Sequence, residues 1–259
     1  MIHQHYKDGE KLDVAGLNEI TVLIDRSDTE LTEVGHNCWT PRQDGPPHKH
    51  NDKEQIFYVT SGEGIVKLGK NKFNAKPGNI AYVPAGLVHQ TITTGNERLC
   101  YMLYNTFINP GKEGHTSFKD HIEKVKQVRR QQADSGDYGL DETETLPEIK
   151  KHKFIENIYV GEKIEGSSHY SILLLQYNET HKSELLLYVW SANADSGNLV
   201  MKNAEQTIFI LEGSGSVFLN DEKSELKAGE VVFVPRNSTY SIKSSDEQLI
   251  CLVLNVNLV

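Results

Sequence analysis

Apolar and polar residues alternate in short runs along most of the chain, and the runs are separated by glycine, proline, asparagine and aspartate. A period of two is that of a strand with one buried face. The pattern predicts strands at residues 22–25, 55–60, 64–68, 80–83, 89–93 and 99–106, and a second series at 171–177, 184–190, 206–211, 216–219, 231–234 and 249–256. One segment breaks the period. From residue 117 to 133 the residues are good helix formers, with Phe118, Ile122 and Val125 at helical spacing, so an amphipathic connector packed on the strands is expected. It runs into a loop-like linker that ends in the acidic Asp141-Glu142-Thr143-Glu144-Thr145. The organisation that follows is residues 1–117, a helical and acidic linker at 118–150, and residues 151–259.

The strand pattern occurs twice. Adding 151 to a residue number carries Trp39 to Trp190, Glu54 to Glu205, Gln55 to Gln206, Gly62 to Gly213, Gly78 to Gly229, Pro84 to Pro235 and Cys100 to Cys251, with no gap expected across the span. Self-similarity at a fixed period means two copies of one supersecondary unit. A length of 259 residues suits two such domains, each large enough to bury its own core.

Composition removes several classes of function. A net charge of −9 weighs against binding a phosphate backbone, and the one basic run, Lys124 to Arg130, lies within the predicted helix. No stretch approaches membrane-spanning length and the first residues lack a signal peptide's apolar core, so a cytoplasmic location is expected. Three cysteines make no even disulfide framework. Cys100 and Cys251 read as equivalent small core residues, and Cys38 has no counterpart cysteine and is a poor candidate for a nucleophile. His3 and His5 share H-x-H spacing but have no partner motif, and read as surface residues at a mobile end.

Ligand chemistry is concentrated in two segments. In an extended strand His48 and His50 point to one face; the turn-forming Asn51-Asp52-Lys53 then lets Glu54 open the neighbouring strand. A second segment ends in a turn that places His89 at the start of a strand. Three imidazoles and a carboxylate would close around a cation and leave room for substrate or water. Residues 45–64 resemble the first cupin motif, G-x5-H-x-H-x3-E-x6-G, with two residues rather than five between Gly45 and His48. Residues 78–89 resemble the second, G-x5-P-x-G-x2-H. The resemblance implies an all-β chain of two cupin (jelly-roll) barrels with a short helical linker. It also implies one divalent transition metal per chain (Fe, Mn, Ni, Co, Cu or Zn) on His48, His50, Glu54 and His89.

The copies diverge at those positions, where Leu199, Met201 and Tyr240 stand in place of the histidines. The second barrel is therefore expected to hold no metal in the same manner. Around the first site, Tyr58 shares a face with Glu54, and Arg42 precedes the metal loop and could pair with an anionic substrate; both are candidate catalytic residues. The reading that follows is a metal-dependent, dioxygenase-type oxidoreductase acting on a small organic molecule. A metal-dependent isomerase or lyase and a non-catalytic sugar- or effector-binding protein are the alternatives. The partners expected are a small-molecule substrate, no nucleic acid and no membrane, with a homodimer as the assembly this reading allows.

Overall fold

The computed structural model describes residues 1–138, 150–220 and 222–258. The acidic run at 141–145 lies outside the described residues. Two compact units are present: Glu10–Asn157, and Met1–Gly9 with Ile158–Val259. The division differs from the boundaries at 117 and 150 because two short strands pair across the sequence. Ile2–His5 lies antiparallel to Glu230–Val234, and Lys153–Ile155 lies antiparallel to Ile80–Val83.

Each unit is a jelly roll with a large and a small antiparallel sheet. In the first, seven strands run in the order Lys153–Ile155, Ile80–Val83, Lys53–Ser61, Leu99–Phe107, Thr32–Trp39, Asn18–Ile24 and Glu10–Val14. Its small sheet is Asn71–Ala75, Gly64–Leu68 and His89–Thr93. Leu99–Phe107 is buried at every residue, as a central strand covered on both faces must be. The second unit repeats the plan around Leu249–Asn257, with a small sheet of four strands. Gly62 and Gly213, matched in the repeat, have φ of 74° and 81°. A Cβ there would lie 2.1 Å and 2.0 Å from the carbonyl oxygens of Arg98 and Gln248, so only glycine fits.

The register corrects the single offset. Trp39 pairs with Leu99 and Trp190 with Leu249, a difference of 150 in the last strands. The turn after Thr93 has five residues (94–98) and the turn after Ser244 has four (245–248), so one residue is missing from the second copy. Cys251 is therefore the counterpart of Tyr101, and Ile250 that of Cys100. Cys251 is free and buried, whereas Cys100 lies opposite Cys38 on the adjacent strand and forms a disulfide with it, Cα to Cα 4.1 Å. Counting three cysteines missed this pair because an antiparallel register, not sequence spacing, brings them together. The amino-terminal histidines also differ from expectation, since both lie in the paired Ile2–His5 strand and His3 Nε2 is 3.1 Å from Glu230.

The predicted helix is present at Phe118–Ser135. The Ser117 side chain accepts from the Asp120 N–H at its start, and left-handed Gly136 ends it. Phe118 and Ile122 are buried against Leu12, Val14 and Ile20, which lays the helix along the end of the first barrel's large sheet. Burying each of these two side chains contributes about 1.5–3 kcal/mol to holding it there. Among the described residues no helix is long and apolar enough to cross a membrane.

Candidate metal centre

Backbone pairing joins the two ligand segments. The His48 N–H donates to the His89 carbonyl at 3.0 Å and the His89 N–H to the His48 carbonyl at 2.8 Å, while the Gly86 N–H donates to the His50 carbonyl at 2.6 Å. Gly45 permits the approach, because a Cβ there would lie 2.6 Å from the Trp39 ring. The three rings converge: the His48 centroid is 5.1 Å from that of His50 and 4.2 Å from that of His89. One nitrogen from each ring lies within 4.8 Å of the others.

The imidazoles are set up as ligands in charge and in tautomer. Burial is the first cause that holds His48 and His50 well below the ordinary histidine pKa, and it lowers His89 to about 4. All three are neutral at pH 7. His48 Nδ1 is 3.0 Å from the Pro46 carbonyl and His89 Nδ1 is 3.1 Å from the Leu87 carbonyl, so each Nδ1–H donates and each Nε2 lone pair is left for the cavity. His89 Nε2 is buried with no hydrogen-bond partner. A buried imidazole nitrogen in that state is costly unless a cation takes it. The three histidines therefore fit a divalent transition metal, which favours nitrogen-rich ligation.

Glu54 is not at this centre. Lys53, Gln55 and Phe57 line the cavity, and Glu54 points to the opposite face of their strand, where it accepts the Tyr82 O–H at 2.8 Å. A strand reverses facing at every residue, so a one-residue error in register exchanges one face for the other. Gln55 faces the cavity instead: its Nε2 donates to Asn105 Oδ1 at 2.8 Å and its Oε1 is buried without a partner. Asn105 donates in turn to Glu33, which is paired with buried Arg26 at 2.5 Å. The sequence carried a signal for this choice. Six residues separate Gln55 from Gly62, the spacing the motif requires before its closing glycine, whereas seven separate Glu54 from it.

Neither candidate catalytic residue reaches the cavity. Tyr58 shares the face of Glu54, away from the lining. Arg42 is on the surface with its guanidinium on Asn96 Oδ1, at 3.0 and 2.6 Å. Tyr101 and a face of the helix take their place. Tyr101 accepts from Trp39 Nε1 at 2.8 Å and Asn37 Nδ2 at 2.9 Å, and burial raises its pKa, so its hydroxyl stays protonated. Helix residues His121, Ile122, Val125 and Arg129 wall the cavity, whose volume is about 80 Å³. Burial lowers Arg129 to about 10, which leaves it charged at pH 7, and it has no carboxylate partner among the described residues. Helical spacing marked Ile122 and Val125 as a packing face, but nothing in the local sequence marks His121 and Arg129, because only the packing of the helix on the barrel brings them to the cavity.

The Cupin domain profile matches residues 36–104, which contain all three histidines and Gln55. A structure of oxalate decarboxylase from Lactobacillus farciminis superposes on the whole chain with a TM-score of 0.67 at 12% identity, and 87% of that chain is covered. The chain has the bicupin fold. Salicylate 1,2-dioxygenase from Pseudaminobacter salicylatoxidans is similar to 88% of the bicupin and 72% of its own chain is covered, with a TM-score of 0.67 at 13% identity. Among curated proteins, glucose-6-phosphate isomerase of Thermococcus onnurineus is 33% identical over 76 residues, 27% of the bicupin. An uncharacterized protein of Methanocaldococcus jannaschii is 37% identical over 49 residues, 19% of the bicupin. These matches span 38% and 39% of the two relatives' own lengths. The structural likenesses establish the bicupin fold; the histidine cluster is what ties it to metal chemistry.

Proposed function

We propose that the first barrel holds one divalent transition metal on His48, His50 and His89, with the Gln55 carboxamide oxygen beside them, and that the bicupin is a dioxygenase-type oxidoreductase acting on a small organic anion. The observation that carries this reading is the neutrality of the donor set. Three neutral imidazoles and an amide leave a dication's charge undiminished, and the Arg129 guanidinium adds a further positive charge at the same cavity. A carboxylate or enolate is the group such a field selects. The cavity, about 80 Å³, is roughly half the ~150 Å³ that accommodates benzene, so a short-chain acid or enediol suits it better than an aromatic ring.

Bound there, the metal would act as a Lewis acid and give substrate and O₂ a common site. The protein's own part is positional. The Pro46 and Leu87 carbonyls hold two imidazoles in the ligating tautomer. Asn105 fixes the Gln55 amide, and Arg129 binds the anionic end of the substrate. Ile122 and Val125 keep bulk water from that side of the cavity.

A second reading, proton transfer in an isomerase- or lyase-type reaction, is favoured by one feature: His121 and Tyr101 line the same cavity as the histidine cluster. Similarity to a glucose-6-phosphate isomerase over 76 residues agrees with it. Metal analysis followed by oxygen uptake on a panel of small keto and hydroxy acids separates the two. Stoichiometric metal lost in His48→Ala, with substrate-dependent oxygen uptake, supports the dioxygenase. Metal-dependent turnover that continues without oxygen supports the isomerase or lyase. Metal that survives removal of the histidines refutes both.

A further inference from the structure

The second unit holds a cavity of about 140 Å³ at the place equivalent to the metal centre. Leu199 faces Tyr240 across its small sheet as His48 faces His89 in the first, so an isobutyl group and a phenol replace two imidazoles. Two aromatic rings form part of the wall. The Tyr188 and Trp190 rings lie 13° from parallel with centroids 6.0 Å apart, and His169 packs 4.3 Å from Trp190. Ile208 and Ile242 are apolar neighbours.

Ser167, Ser168 and Ser196 complete the lining, and two of its buried polar atoms have no partner, His169 Nδ1 and Gln206 Oε1. Gln206 is 5% exposed; its Nε2 donates to Asn255 at 2.7 Å, and its Oε1 has no partner. The Tyr240 hydroxyl lies against the same amide, and burial raises its pKa, so it is uncharged. A buried amide oxygen is normally hydrogen-bonded, and this one calls for an N–H or O–H brought by something else. Asp195 is the only acidic or basic side chain of the lining other than His169, and it is half exposed and bridged to Lys243 at 2.8 Å. An anion would find no cation there. A quaternary ammonium would find aromatic faces but could not donate to Gln206. The volume is close to the ~150 Å³ that holds benzene, which sets the size at one ring.

We propose that the second barrel binds a small neutral aromatic molecule, a single ring carrying a hydroxyl or ring N–H, against Tyr188 and Trp190 with its donor on Gln206 Oε1. This site is independent of the metal centre and needs no metal. Its test uses the full chain, selective methyl labelling, and four probes: phenol, benzoate, cyclohexanol and tetramethylammonium. Phenol is expected to move the Leu199, Ile208 and Ile242 methyl signals saturably, and the other three probes to bind at least tenfold more weakly. Gln206→Leu should weaken phenol about tenfold, the effect of one lost hydrogen bond, without changing the metal content of the first barrel. Unmoved second-barrel methyls, benzoate, cyclohexanol or tetramethylammonium binding as tightly as phenol, or an unchanged phenol affinity in a folded Gln206→Leu would each overturn the proposal. Should that variant fail to fold, the ranking of probes on the unaltered chain decides.

Discussion

Replacing Glu54 with leucine separates the two faces of the Lys53–Ser61 strand. Glu54 is fully buried and accepts the hydroxyl of fully buried Tyr82 at 2.8 Å. Removing the carboxylate takes that buried hydrogen bond away, at a cost of about 1.5–3 kcal/mol. For a unit the size of residues 10–157, each kcal/mol lowers the melting temperature by about 2–4 °C, so a fall of about 3–12 °C is expected. Tyr82→Phe added to Glu54→Leu should recover part of the loss, because the phenyl ring brings no hydroxyl that needs the missing acceptor. Metal affinity should stay within about twofold in both variants, whereas Gln55→Leu should weaken it with little effect on Tyr82. The assays are thermal unfolding of the metal-free protein and metal titration by calorimetry. A folded Glu54→Leu protein that no longer binds metal would show that Glu54 is a ligand and that the facing of this strand is wrong.

His89→Ala should abolish stoichiometric metal binding and Tyr240→Phe should not alter it, as read by elemental analysis. Arg129→Met should raise KM for an anionic substrate about tenfold or more with a smaller change in kcat, since Arg129 binds rather than reacts; an unchanged KM would remove it from the site. Thiol titration should find none reactive in the native protein, one after unfolding without reductant and three after reduction, because Cys251 is buried and the other two are bonded. Their separation of 62 residues makes the loop-closure contribution about 4 kcal/mol, so Cys38→Ser should lower the melting temperature by roughly 8–16 °C under oxidising conditions.

The elements with a strong period were readable from the sequence. Gly64–Leu68, Ile80–Val83 and His89–Thr93 coincide with their predicted spans, and the helix begins one residue after Ser117. Ile2–His5 and Lys153–Ile155 were not, because three or four residues are too few to show alternation and their partners lie far along the chain. The histidine cluster was legible because H-x-H in an extended segment admits one facing. Its fourth position was ambiguous, since the spacing from His50 favours Glu54 and the spacing to Gly62 favours Gln55, and a carboxylate looked the better ligand. The cysteine pair was hidden by the residue missing from the second copy's last turn, which made Cys251 look like the partner in the repeat of Cys100.

The pairing of Ile2–His5 with Glu230–Val234 also sets a timetable for biosynthesis. Ile2–His5 must wait until its partner, some 225 residues later, leaves the ribosome. At about 5–20 residues per second that wait is about 10–45 s, long after the residues of the first barrel have been synthesised. Throughout it the amino-terminal segment is an unpaired strand with an exposed backbone, available to chaperones or to a neighbouring nascent chain. A polypeptide truncated near residue 157 would complete one barrel yet still display this strand, with nothing of its own to receive it.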